Sequence, residues 1–230
     1  LGTPDVSVYE MVGAFGTYAN QGVYVKPVMV TRIEDKNGTV LFEYKPETKD
    51  VLSKDVAYAM INLLEGVTQY GSGGRLRHTY GKNNTVYKKI ITGYPYELTN
   101  PIAGKTGTTQ NQSDGWFMGM VPNLVTGVWV GGEDRSVHFE DIAFGQGATM
   151  ALPIWAQYMK NAYLHEDLNI SSEDLIDDSD VKNDDFDKLH RTNSGYPSWI
   201  MGGAVLDMLP EWLGNVIKSG ANESLTGMAV

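Results

Sequence analysis

Gly104-Lys105-Thr106-Gly107-Thr108 places a cation, two hydroxyls and two glycines within one short, strand-like segment. On a strand exposed at a sheet edge, Lys105 supplies a compact positive charge for a carboxylate or for proton management. The Thr106 hydroxyl can donate to the same carboxylate. Gly107 lets an extended ligand lie close against the strand and be held by main-chain hydrogen bonds. The N–H of Thr108 can then aim at a developing oxyanion, a donor worth roughly 3–4 kcal/mol in such sites. The tripeptide alone is weak evidence, because Lys218-Ser219-Gly220 matches the same pattern with no strand around it. Its surroundings must decide.

Other chemistries find little support. The chain has no cysteine, which excludes a thiol nucleophile, a Cys-based zinc site and a disulfide scaffold. His78, His138, His165 and His190 are scattered without metal-ligand spacing, so neither a metal nor any other cofactor is expected. The net charge of −10 is local: Glu166 to Leu189 holds ten acidic residues against Lys182 and Lys188. No basic patch dense enough to neutralise phosphates remains, which argues against nucleic acid as a partner. Arg75-Leu76-Arg77-His78 and Glu133-Asp134-Arg135 read as solvated loop charges rather than binding sites. No run of about 18 apolar residues is present. Leu1-Gly2-Thr3-Pro4 is neither a start methionine nor a basic leader, and the chain reads as a segment of a longer protein.

The elements that position the lysine strand follow from periodicity. Ser7 and Glu10 form a capping box for a helix whose apolar face is Met11, Val12, Phe15, Tyr18 and Ala19, closed by Gly22. Val28–Glu34 and Thr39–Tyr44 read as a hairpin turning at Asn37-Gly38. Ser53 caps a second helix with Val56, Ala59, Met60, Leu63, Leu64 and Val67 on one face, stopped by Gly71-Ser72-Gly73-Gly74. Residues 75–100 read as a long loop or insertion, with a strand possible at 85–91. Three adjacent strands follow at 102–108, 116–121 and 124–131, the last two joined by Pro122-Asn123. A helix is expected from about Met150 to Tyr163, with Pro153 in its first turn. Residues 165–195 read as an acidic linker, and 196–230 as a small amphipathic appendage. The fold class is α+β: an antiparallel sheet flanked by helices, read as the distal half of a larger domain.

The run Ala103-Gly104-Lys105-Thr106-Gly107-Thr108-Thr109, then Asp114-Gly115-Trp116-Phe117-Met118-Gly119, Pro122 and Val125-Thr126-Gly127-Val128-Trp129-Val130-Gly131, closely resembles the class A penicillin-binding proteins. So do Gly147 to Trp155, ending Ala151-Leu152-Pro153-Ile154-Trp155, and the helix Ser7 to Gly22. The resemblance covers about residues 1–164, with several motifs in the family's order.

It implies a transpeptidase fold in which a serine attacks the D-Ala-D-Ala end of a peptidoglycan stem peptide. The terminal D-alanine leaves and the acyl group passes to an amine; penicillins mimic the dipeptide and stay attached. Carried over, Lys105 and Thr108 are the catalytic residues, through the proton network and the oxyanion hole. Thr106, Gly107 and Thr109 contact substrate, while Asp114 and Trp116 support the sheet. The implied partners are stem peptides, β-lactams and the N-terminal remainder of the same protein, on the extracytoplasmic face of the inner membrane, where an anchor outside this chain would hold it. Two family motifs do not precede the lysine strand: Ser-x-Asn is absent, and Ser179-Asp180-Val181-Lys182 lies after it in the acidic stretch. The chain is therefore expected to carry half an active site and to be inactive alone. The alternatives are a related serine carboxypeptidase or β-lactamase, and a non-catalytic module that binds peptidoglycan or a partner.

Overall fold

The computed structural model describes residues 5–77 and 94–175. Helix α1 (Val8–Ala19) starts at the expected capping box: Ser7 Oγ accepts from the Glu10 N–H, and the Glu10 carboxylate accepts from the Ser7 N–H at 2.8 Å. These bonds hold the Glu10 carboxyl below its usual pKa. Phe15 is buried, and Met11, Val12, Tyr18 and Ala19 pack around it as the periodicity requires.

Two small antiparallel pairs follow. β1 (Val23–Val25) pairs with β4 (Thr48–Asp50), a pair the sequence does not announce. Between them, β2 (Arg32–Glu34) pairs with β3 (Val40–Glu43). The hairpin is shorter than its apolar pattern suggests, and its last cross-strand bond runs from the Tyr44 N–H to the Thr31 carbonyl. The turn is closed by Asp35, whose carboxylate accepts the N–H groups of Asn37 and Thr39, with Gly38 at φ +83°.

Helix α2 (Lys54–Gln69) begins at Ser53, which accepts from the Val56 N–H. Its deepest stripe is Ala57, Ile61, Leu64 and Thr68, rotated from the expected face. The rotation reflects cover on two sides, so that Val56, Met60, Leu63 and Val67 become half-buried flanks.

The main sheet has the order β5-β6-β7, all antiparallel: β5 (Ala103–Thr108), β6 (Asp114–Val121) and β7 (Leu124–Gly131). Pro122-Asn123 makes the two-residue connection, with Val121 opposite Leu124. β6 is covered on both faces. Phe117 and Val121 join a core with Leu152, Trp155, Ala156 and Met159, while Met118 and Met120 join one with Phe15, Ile61 and Leu64. Three layers result: α4 (Gly147–Tyr163), the sheet, then α1 with α2.

Helix α4 starts three residues before the expected point, after the short α3 (Ile142–Gly145). Pro153 therefore sits in the second turn, not the first. The early start follows from contact with the sheet. A Cβ at Gly147 would overlap the Gly107 carbonyl, so only glycine permits this approach. Further along, a Cβ at Gly119 would overlap the Trp155 indole, itself fully buried against Phe117.

The stretch expected to be loop from residue 75 is solid at both ends. Arg75 and Leu76 are buried, as are Tyr94, Tyr96 and Leu98, which belong to the α4-side core. Packing also continues past the expected linker boundary: Ile170 and Leu175 touch the two cores, and Asn123 bonds both the Asn169 carbonyl and the Ser171 N–H. The strand expected at 85–91 and the helical appendage at 196–230 lie outside the described residues. Among the described residues, no helix is long and apolar enough to cross a membrane.

Two consequences are measurable. Gly119→Ala drives a methyl into Trp155, and overpacking of this kind costs about 1–3 kcal/mol, visible as a lowered Tm. Glu65, on α2, has its pKa raised to about 7, by burial first and by Asp174 second, with Arg77 opposing. A carboxyl raised in the folded state stabilises fully below its unfolded value of 4.5, and this contribution is lost as pH rises through 7. Glu65→Gln should therefore match wild type at pH 4 and exceed it at pH 8 by about 1–2 kcal/mol, after discounting for partial solvation. Thermal melts across that range test the sign.

Candidate active site

The lysine segment forms β5, at one edge of the three-stranded sheet. The Thr109 N–H donates to the Asp114 carbonyl at 3.1 Å, which fixes the phase of the ladder. In antiparallel pairing the inward-bonded residues alternate, so the peptide groups of Gly107 and Lys105 also face β6. Those of Thr106 and Thr108 point to the free edge. The Thr108 N–H is thus directed away from its own sheet, as an oxyanion donor needs to be.

Side chains alternate as well. Ala103 belongs to the core on the α1–α2 side, which puts Lys105 on that face, whereas Thr108 faces α4. Lys105 is exposed, and its Nζ reaches round the edge to the Thr106 carbonyl at 2.6 Å. Enough protein surrounds the ammonium that desolvation lowers its pKa. The half-buried Thr106 places Oγ1 2.5 Å from Ser72 Oγ. Thr108 divides its labour. Its hydroxyl accepts from the Gly147 N–H at 2.9 Å, pinning the start of α4, while its backbone N–H stays free of the ladder.

Thr109 is placed differently from the other four. Its hydroxyl donates to Asp114 Oδ2 at 2.9 Å, accepts from the Asp114 N–H and lies 3.0 Å from Ser113 Oγ. Asp114 also accepts from Trp129 Nε1 at 3.0 Å. Asp114 and Ser113 are buried, so this is a closed network that locks the exit of β5 to β6 and β7. Asp114 supports the sheet as its resemblance implies, and the Thr109 hydroxyl is committed to that support.

The other end of β5 is closed by the chain leaving α2. Thr68 is fully buried, and its hydroxyl donates to the Ile102 carbonyl at 2.5 Å. Arg77 donates to the Thr68 carbonyl, to its hydroxyl and to the Asn100 carbonyl. Arg75 crosses to α4, donating to the Ala148 carbonyl at 3.0 Å and to Thr149 Oγ1 at 2.9 Å. These arginines are structural clamps, neither solvated loop charges nor an anion site; His78 lies outside the described residues. The clamps cover the edge near Ile102 and leave Lys105 to Thr108 open. Ser72 stands at that boundary, in a segment the sequence marks only as a helix stop.

Asp134 accepts from the Ser136 N–H in an exposed loop and takes no part in the site. Among the described residues, no group of three or more His, Cys, Asp or Glu is arranged to hold a metal.

A sequence model of the penicillin binding protein transpeptidase domain matches residues 2–134. Penicillin-binding protein 1A of Aquifex aeolicus is 34% identical over 179 residues, which are 76% of this chain and 22% of that protein. Penicillin-binding protein 2D of Bacillus subtilis is 32% identical over 162 residues, 70% of this chain and 21% of that protein. The chain thus spans about a fifth of the length of these curated relatives. Penicillin-binding protein 1A from Haemophilus influenzae superposes with a TM-score of 0.52 at 25% identity, covering 68% of this chain and 26% of that one. The resemblance to class A penicillin-binding proteins is borne out, and the chain belongs to the penicillin-binding protein transpeptidase domain family.

Proposed function

We propose that this chain forms the substrate-strand half of a D,D-transpeptidase that cross-links peptidoglycan stem peptides by serine acyl transfer. The observation that carries the reading is the open stretch of β5, where Lys105 Nζ, the Thr106 hydroxyl and the outward Thr108 N–H stand within four consecutive residues. An extended stem peptide adds to that edge by main-chain hydrogen bonds. Its terminal carboxylate meets the Thr106 hydroxyl and the Lys105 charge. The Thr108 N–H stabilises the oxyanion formed when the scissile carbonyl is attacked. Desolvation by the surrounding protein makes Lys105 easier to deprotonate than a free lysine, which suits a group exchanging protons with the nucleophile or the leaving amine.

The nucleophilic serine and its lysine are assigned to another part of the same polypeptide, because Ser-x-Asn is absent here and the one Ser-x-x-Lys follows the lysine strand. The same applies to a membrane anchor that would hold the site on the extracytoplasmic face of the inner membrane. Penicillins then compete for the strand as mimics of the dipeptide.

The test is penicillin labelling of the protein encoded by the complete gene, followed by intact mass. Wild type should gain one covalent adduct, and Lys105→Ala should acylate about a hundredfold more slowly or worse. Folded wild type without an adduct would remove the transpeptidase reading and favour a non-catalytic peptidoglycan-binding module. Residues 1–230 alone should gain no adduct, since the remaining donors bind but cannot attack. A stable adduct on them would mean that the nucleophile lies within this chain.

A further inference from the structure

The contact between Ser72 and Thr106 at the boundary of the open edge is not used by the reaction as described so far. Ser72 Oγ and Thr106 Oγ1 lie 2.5 Å apart, although 34 positions separate them in the chain. Ser72 itself is exposed and helps no core, yet the backbone on either side of it is held by hydrogen bonds. The Gly71 N–H bonds the Gly66 carbonyl, the Gly73 N–H bonds the Val67 carbonyl at 2.9 Å, and the Gly74 N–H bonds the Gly71 carbonyl. A Cβ at Gly71 would sit 2.9 Å from Val67 Cα, so the turn is wound directly on the last turn of α2. Immediately after it, the buried Arg75 fastens the segment to α4. A rigid turn thus presents one hydroxyl to the residue that the proposed mechanism uses for carboxylate binding.

We propose that Ser72 is a positioning residue for recognition of the substrate carboxylate, acting through Thr106. A threonine hydroxyl has one proton and two acceptor lone pairs. When Thr106 gives its proton to a carboxylate, its oxygen still needs a donor, and Ser72 supplies one. The chain Ser72→Thr106→carboxylate has a single direction, so Ser72 fixes both the rotamer of Thr106 and the orientation of its proton. Hydrogen bonds in such chains polarise and strengthen one another when the last acceptor is charged. Without Ser72, the Thr106 hydroxyl is free to turn away or to donate elsewhere. The inference rests on the transpeptidase reading above.

The experiment uses the complete protein, with benzylpenicillin and its methyl ester, which lacks the charged carboxylate, as probes. The second-order acylation rate is measured for wild type, Ser72→Ala, Ser72→Thr and Thr106→Val, and for Ser72→Ala combined with Thr106→Val. Ser72→Ala should slow acylation by benzylpenicillin about tenfold and change the ester rate by less than about twofold. Ser72→Thr should restore most of the loss, and adding Ser72→Ala to Thr106→Val should change nothing further. Equal loss on both probes would reduce Ser72 to a structural role, and no loss on either would overturn the inference while leaving the transpeptidase assignment standing. A folded wild type that neither probe acylates would overturn both.

Discussion

Burial of β6 on both faces is the constraint from which the rest follows. Phe117 and Val121 face α4, while Met118 and Met120 face α1 and α2. With helices on both sides, neither face of β6 is available to a ligand. An extended ligand meets the main chain of β5 from the side, along its unpaired groups. The fold thereby converts a liability of open sheets, their unpaired edge, into a template. The template is also bounded. Thr68 and Arg77 close it near Ile102, and the Asp114 network closes it past Thr108. What remains open is about one dipeptide mimic long.

The close approach of α4 to the sheet depends on side chains that are missing. Gly115, Gly119 and Gly147 leave room for Met150, Trp155 and the Gly107 carbonyl respectively. This is why α4 begins at Gly147 and runs through Pro153 in its second turn. It also explains why the start of α4 can be pinned by a hydroxyl from β5 itself, at Thr108.

Much of this was legible in the sequence, for reasons that differ by element. The capping box of α1 and the three central strands are local signals: Ser7 with Glu10, the short apolar run at 116–121, and Pro122-Asn123 joining it to the next run. The Lys105 strand was readable because three polar groups and a glycine stand within four consecutive residues. What escaped is contact between distant segments. The buried stripe of α2 is rotated because two neighbours cover it, and Arg75 and Arg77 are clamps because Ala148, Thr149, Thr68 and Asn100 happen to face them. Ser72 carries no local mark beyond its glycine neighbours; its meaning comes only from Thr106, far along the chain. Thr109 shows the same limit in reverse, since proximity to the motif suggested substrate contact while Asp114 claims its hydroxyl.

The phase of the β5 ladder bears on how such a site changes over generations under antibiotic pressure. The Thr108 group aimed at the free edge is an amide N–H, and every residue except proline supplies one. No ordinary substitution at that position deletes the donor. If the strand acts as proposed, weakening this one donor requires displacing the strand, through whatever lies beneath it. Here that means the contacts of Gly147 with the Gly107 carbonyl and the Thr108 hydroxyl. On the proposed function, heritable changes that weaken this donor would fall at the foot of α4, not at Thr108 itself.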